Sequence, residues 1–257
     1  VDLEITERAS VIAALEAQPD AVVHLAAIAY SPEAQADPIQ TWDVNVAGTA
    51  HLLRAAAEQR SAGSEGPIVV VASSAEVYGE GEPRPRVETE VPRPHNVYSW
   101  SKVGAELAAG YATSAWGLRV IVVRPFPATG PGQTNRLIPN WITALRRGDQ
   151  IEGDPTIVRD YLDVRDMAEA YLALLGAGRP GETYNISAGR EIRFWELAAK
   201  LGSLLGVDAR LVPPRNPRIG LQHLVGNPSK LEQHTGWRPT VPLEKTLEDM
   251  IGDAQAH

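Results

Sequence analysis

Three short apolar runs, each closing on small or polar residues, restrict the fold of this chain more than any other feature. Asp20 to Ala27 (DAVVHLAA), Pro67 to Ser74 (PIVVVASS) and Leu118 to Arg124 (LRVIVVR) hold β-branched stretches without polar alternation. Strands covered on both faces read this way. Between the runs, Val44 to Arg60 and Tyr98 to Trp116 place alanine and other apolar residues at helical spacing. The order strand, helix, strand, helix, strand predicts an α/β fold, a doubly wound parallel sheet. In such sheets ligands gather at the carboxyl ends of the strands. Those ends here are His24, Leu25, Ala26 and Ala27, then Ser73 and Ser74, then Arg124 and Pro125.

Tyr98 and Lys102 stand four residues apart in the segment YSWSK, after the second run and a Pro-rich stretch. Positions i and i+4 share one face of a helix, so the phenol and the ammonium can act on the same atom. A tyrosine ionises near pH ~10, and each unit of lowering takes about 1.4 kcal/mol of preference for the phenolate, which a nearby cation can supply. Set beside a strand-end Ser74, the pair reads as an acid/base tuned toward neutrality. Taken alone, the same spacing occurs in ordinary solvated helices.

With HLAA at His24 to Ala27, NVAGT from Asn45, SSAEVYG from Ser73, YSWSK, RPF from Arg124, GPG from Gly130 and RDYLDV from Arg159, the chain resembles the extended short-chain dehydrogenase/reductase family, in its sugar-nucleotide branch. YNIS from Tyr184 and TGWRP from Thr235 extend the resemblance over nearly the whole chain. It implies a Rossmann-like domain over residues 1–128, to which 157–187 return, with 129–156 and 188–257 mainly in a smaller substrate-binding lobe. It further implies NAD or NADP as cofactor, against His24, Leu25, Ala26, Ala27, Ser73, Tyr98, Lys102 and Pro125. Tyr98 would transfer the proton, Lys102 would lower its pKa and hold the nicotinamide ribose, and Ser74 would orient the reacting carbonyl. Asn45 would steady a water or the local backbone, and a helix N-cap is its structural alternative. Glu76, Gln133, Arg159, Arg215 and Arg218 would meet the substrate, Arg159 holding its diphosphate bidentately.

The run from Arg124 to Pro239 most resembles reductases of GDP-4-keto-6-deoxymannose, so reduction of a GDP-4-keto-6-deoxyhexose is the expected reaction. Glu76 keeps an epimerase, dehydratase or decarboxylase in view, although Ala75 stands where a dehydratase would carry a second acid. Pro127 replaces the usual Asn after RPF, and Ala29 and Tyr30 replace small polar residues after HLAA. These departures admit a ketoreductase of a small non-nucleotide ketone. No G-x-x-G-x-x-G precedes the first strand. The family's phosphate-holding opening unit, roughly thirty residues, is therefore expected upstream of Val1, and a non-catalytic binding protein on the same fold is the alternative.

A net charge of −8 over 257 residues, with no basic stripe, argues against nucleic acid as a partner. The chain has no cysteine, which excludes disulfides and thiol catalysis, and His24, His95 and His223 are too scattered for a metal site. No apolar run reaches the ~18 residues of a membrane span, so a cytoplasmic enzyme is expected. The Pro-rich stretch Glu82 to Pro94 reads as a surface connection or a wall beside the site. Ala105, Ala108, Ala109 and Ala112 on one helix, with Ala47, Ala50 and Ala55 on another, suggest close helix pairing in a homodimer, with core packing as the alternative.

Overall fold

The computed structural model describes residues 3–61, 66–214 and 220–253. Helix α1 (Arg8–Leu15) leads to β1 (Ala21–His24). Two short helices, α2 (Ser31–Ala36) and α3 (Pro38–Trp42), pass through a π-helical turn at Asp43–Ala47 into α4 (Gly48–Ser61), and β2 (Ile68–Ala72) follows. A 3-10 turn at Ala75–Tyr78 and the Pro-rich stretch precede α5 (Val97–Trp116), β3 (Arg119–Pro125) and β4 (Ala128–Thr129). Next come α6 (Leu137–Arg146), β5 (Ile151–Glu152), β6 (Val158–Arg159), β7 (Leu162–Asp163), α7 (Val164–Ala177) and β8 (Thr183–Ile186). The chain closes through β9 (Ile192–Arg193), α8 (Phe194–Leu205), β10 (Leu211–Val212), β11 (His223–Leu224), α9 (Ser229–Thr235) and α10 (Leu243–Asp253).

The main sheet has the order β1-β2-β3-β8, all parallel, with Val23 opposite Val70, Val70 opposite Ile121 and Val123 opposite Tyr184. This is the doubly wound α/β architecture, and the apolar runs form it because both faces are covered. Val69, Val71, Val120 and Val122 point to one face, under α1, α4 and α5. Val70, Ile121, Val123, Tyr184 and Ile186 point to the other, where α7 and α9 supply Met167, Leu174 and Leu231. Each such side chain, fully buried, contributes about 1.5–3 kcal/mol over exposure. Helix α5 is closed at both ends. Asn96 and Ser99 form a reciprocal capping box at its start, and Gly117 ends it in the left-handed conformation.

A second core lies in the smaller lobe, where α6, α8 and α10 pack Trp141, Leu145, Leu197, Leu201, Leu247 and Met250 together. Trp141 meets Phe194 edge to face at 5.5 Å. The segment 188–257 divides between the cores: Leu231 and Trp237 join the sheet's core, whereas α8 and α10 join the small-lobe core. No helix among the described residues is long and apolar enough to cross a membrane.

Two features differ from the sequence-based expectation. The helix starting near Val44 opens with a π-helical turn. Of the alanines considered for helix pairing, Ala55, Ala105, Ala109 and Ala112 are buried in the core that α4, α5 and the sheet share, where small side chains let α4 and α5 of one chain pack together. The exposed face of α5 carries Trp100, Leu107 and Tyr111 instead, at 53%, 71% and 59% exposure.

One carboxylate gathers three separate segments. Asp160 is fully buried and accepts backbone N–H groups of Ala188, Gly189 and Gly226 at 3.0, 2.9 and 3.1 Å. Removing it leaves the buried Gly226 donor unpaired, at about 1–3 kcal/mol, and two part-buried donors that water can partly satisfy. Asp160→Ala should therefore lower unfolding stability by about 2 kcal/mol or more, with Asp160→Asn milder; chemical denaturation monitored by circular dichroism measures both.

Candidate active site

The chain leaves the main sheet just after β2, where Ser73 donates the last ladder bond to the Val123 carbonyl at 2.8 Å. Ser74 then turns into the 3-10 segment, its hydroxyl accepting the Glu76 N–H at 3.1 Å. Gly79 completes this turn with φ at +63°, and a Cβ there would stand 1.9 Å from the Arg93 carbonyl oxygen. No other residue fits at that position.

Against this strand end lies the first half of α5, with Tyr98, Ser101 and Lys102 all buried. Burial pushes the Tyr98 phenol up to about 12; the neighbouring Ser74 hydroxyl opposes the rise, the Glu76 charge adds to it and the Arg136 charge reduces it. Lys102 is lowered by burial to about 8. Its ammonium donates to the Ala72 carbonyl at 2.8 Å and sits 5.9 Å from the Tyr98 ring centroid. In this structure burial is the main influence on the phenol and holds it above its ordinary value. Loss of hydration outweighs every nearby charge.

Glu76 is part-buried beside the phenol and accepts the Asn96 side-chain amide at 3.0 Å. Ser31 stands at 3.4 Å from the same carboxylate. Asn45 sits in the π-helical turn, and its side chain takes the Ile28 N–H at 2.8 Å while donating to the Ile28 carbonyl at 3.1 Å and to Ser101 at 2.9 Å. It is no N-cap. It pins the loop after β1 to α5, the backbone role expected for it.

The loop after β1 is open: Leu25 and Ala26 are exposed and Ala27 half-buried, while the His24 side chain is buried with its ring against the Thr49 hydroxyl at 2.9 Å. Burial, with the charge of Lys102, lowers this imidazole to about 4. At most the His24 backbone faces a ligand. Gln133 is also occupied, since its amide donates to the Ala128 carbonyl and accepts from Thr129, both at 3.0 Å. Its side chain braces its own loop. Pro125 is half-buried at the end of β3.

Arg159 holds the Val158 and Leu221 carbonyls at 2.8 Å each, over the Phe194 ring at 5.7 Å. Burial lowers its pKa, and the charges of Tyr161, Glu76 and Glu80 oppose that. Arg215 and Arg218 lie outside the described residues. Residues that sequence reasoning passed over also meet here. Asn96 holds Glu76, Glu106 lies beneath Ser73, and Arg136 lies over the Tyr30 ring at 4.7 Å, bridging the small lobe to the β1 loop. The i+8 position of Glu106 from Tyr98 was the one available signal.

A nicotinamide dinucleotide fits part of this arrangement. The Lys102 ammonium carries three donors and spends one on Ala72, so donors beside a phenol remain at the mouth of an open, small-residue loop. That suits the hydroxyls of a ribose.

Comparisons with known proteins place the fold and the family. The chain is 35% identical over 247 residues to GDP-6-deoxy-D-mannose reductase of Pseudomonas aeruginosa, covering 91% of this chain and 80% of that protein. It is 33% identical over 242 residues to dTDP-glucose 4,6-dehydratase of Streptomyces griseus, covering 93% and 72%. A solved structure of RMD from Pseudomonas aeruginosa complexed with NADPH superposes with a TM-score of 0.90 at 33% identity, over 100% of this chain and 88% of that one. The model of the NAD dependent epimerase/dehydratase family matches residues 1–187, and the chain belongs to that family.

Proposed function

We propose that this enzyme is an NAD(P)-dependent reductase of a nucleotide-activated 4-keto-6-deoxyhexose, with a GDP sugar as its preferred substrate. The observation that carries this reading is the buried Tyr98 phenol one helical turn from the buried Lys102 ammonium at the end of β2, with the part-buried Glu76 carboxylate beside it. Reduction of a ketone needs a proton donor that stays protonated at neutral pH, and Tyr98 is one. Eliminating water needs a second acid/base pair. Ala75 is buried beside Glu76 and supplies none. The Pseudomonas relative named for a GDP-6-deoxy sugar supports the choice of substrate.

A bound NAD(P) would supply the hydride to the carbonyl carbon. The oxygen then takes its proton from Tyr98, and the Ser74 hydroxyl fixes that oxygen by a hydrogen bond. Lys102 stabilises the phenolate left behind and holds ribose hydroxyls. Arg159, with donors left over from its two carbonyls, would take the diphosphate. Residues 1–128 with 157–187 form the dinucleotide side in this reading, and the small-lobe core forms the sugar-nucleotide side. The exposed stripe of Trp100, Leu107 and Tyr111 on α5 would be covered in a homodimer.

Tyr98→Phe should cut turnover by about two to four decades with cofactor affinity nearly unchanged. Lys102→Met should damage both. Lys102 is charged below about 8 and loses its proton as pH rises through that value, earlier than its ordinary 10.5. Cofactor affinity, followed by NADPH fluorescence, should therefore weaken across pH 8 in the parent enzyme and be flat in Lys102→Met.

Nucleotide binding tests the substrate class. In calorimetry on the cofactor-loaded, full-length enzyme, GDP should bind more tightly than UDP, dTDP or CDP, and Arg159→Ala should weaken GDP by about 1.5–3 kcal/mol. Binding of none of the four removes the sugar-nucleotide assignment. A win for UDP or dTDP keeps the enzyme class and changes the substrate.

Light scattering at micromolar concentration should return twice the protomer mass. Leu107→Asp combined with Tyr111→Asp should return the protomer mass, because two buried carboxylates would face the partner copy unpaired.

A further inference from the structure

Helix α5 touches the end of β2 through three side chains four residues apart. Tyr98 meets Ser74, Lys102 meets the Ala72 carbonyl, and Glu106 accepts the Ser73 hydroxyl at 2.5 Å. The first two belong to the proposed chemistry. Glu106 has no part in it, yet its carboxylate is held more firmly than either. Arg124 on β3 grips it with two parallel hydrogen bonds, Nε to Oε1 at 2.9 Å and Nη2 to Oε2 at 2.8 Å, in a pair with side-chain exposures of only 5% and 12%. Arg124 is itself packed over the Tyr78 ring at 4.8 Å, and Tyr78 donates to Asn185 on β8 at 2.6 Å. The Glu106 oxygen that accepts from Ser73 is thus fixed relative to three strands and a helix.

Ser73 is the last residue the sheet anchors, and Ser74 lies one residue beyond that anchor. A rotation at Ser73 would carry Ser74 away from the phenol. We propose that Glu106 is a positioning residue that acts through the Ser73 hydroxyl to hold Ser74 against Tyr98. The inference rests on the reading that Tyr98 and Ser74 handle the carbonyl oxygen. A purely structural pair would need only Arg124, and the bond to Ser73 would be dispensable. Misplacing a reacting group by about 1 Å costs up to ~100-fold in rate, so the bond has a kinetic signature distinct from stability.

Ser73→Ala separates the two cases, because it leaves the Glu106–Arg124 pair intact. Steady-state kinetics of the full-length enzyme with GDP-4-keto-6-deoxymannose and NADPH should show kcat lowered about 10- to 100-fold in Ser73→Ala and in Glu106→Gln, with both KM values within about threefold. The double variant should be no slower than the slower single one, since both remove one linkage. Ser73→Thr, which keeps the hydroxyl, should recover most of the rate, and Ser73→Ala should remain folded at the assay temperature by circular dichroism while its kcat falls. Full kcat in Ser73→Ala, or losses that multiply in the double variant, overturns the inference. Tyr98→Phe run alongside locates the failure. If it abolishes turnover while Ser73→Ala does nothing, only the role of Glu106 falls; if the parent enzyme does not turn over this substrate, or Tyr98→Phe leaves the rate intact, the functional reading falls and the inference with it.

Discussion

The site depends on a phenol and an ammonium being taken out of water side by side. Desolvation disfavours the charged form of each, so it raises the tyrosine and lowers the lysine. Below about 8 the pair is a neutral phenol beside an ammonium, and the phenol keeps its proton well above that. The rest of the structure supplies what tolerates that cost: a capped twenty-residue helix, a strand end with a free carbonyl for the ammonium, and a valine-rich sheet under both. A solvated pair at the same spacing would ionise at ordinary values and lose its directionality.

The parallel sheet, its strand ends and the Tyr98, Lys102 and Ser74 grouping were legible in the sequence because each rests on local pattern: β-branched runs, helical spacing, and small residues where strands stop. What stayed hidden depends on partners far along the chain. Asn45 reads in isolation as a backbone support or a helix cap, and only the fold shows that Ile28 and Ser101 are what its amide meets. Gln133 reads as a ligand donor, yet its loop folds back so that Ala128 and Thr129 use both of its polar ends. The alanines of α5 suggested a partner helix because smallness marks close approach without saying to what. Here the close neighbours are α4 of the same chain and the sheet.

The Pro-rich stretch is wired into the large lobe and is no loose cover. Arg86 exchanges backbone bonds with Val225 and Asn227, Glu88 accepts the Asn185 N–H at 2.8 Å, and Arg93 donates to Val77 at 2.8 Å. Proline removes donors and fixes φ, so a segment rich in it folds only where the remaining N–H groups find partners elsewhere. Those partners lie on the Ser74–Gly79 turn, on β8 and on the segment after β11. The stretch therefore braces the wall of the cleft from behind.

Asp160 has a consequence of another kind. A buried carboxylate that collects amides from the segments after β8 and β11 works as a rivet between those segments and the β6–β7 connection, and the short β4–β7 ladder follows directly. Segments pinned this way cannot part without leaving a buried carboxylate and its amides unpaired, so the connections after β8 and β11 move only together.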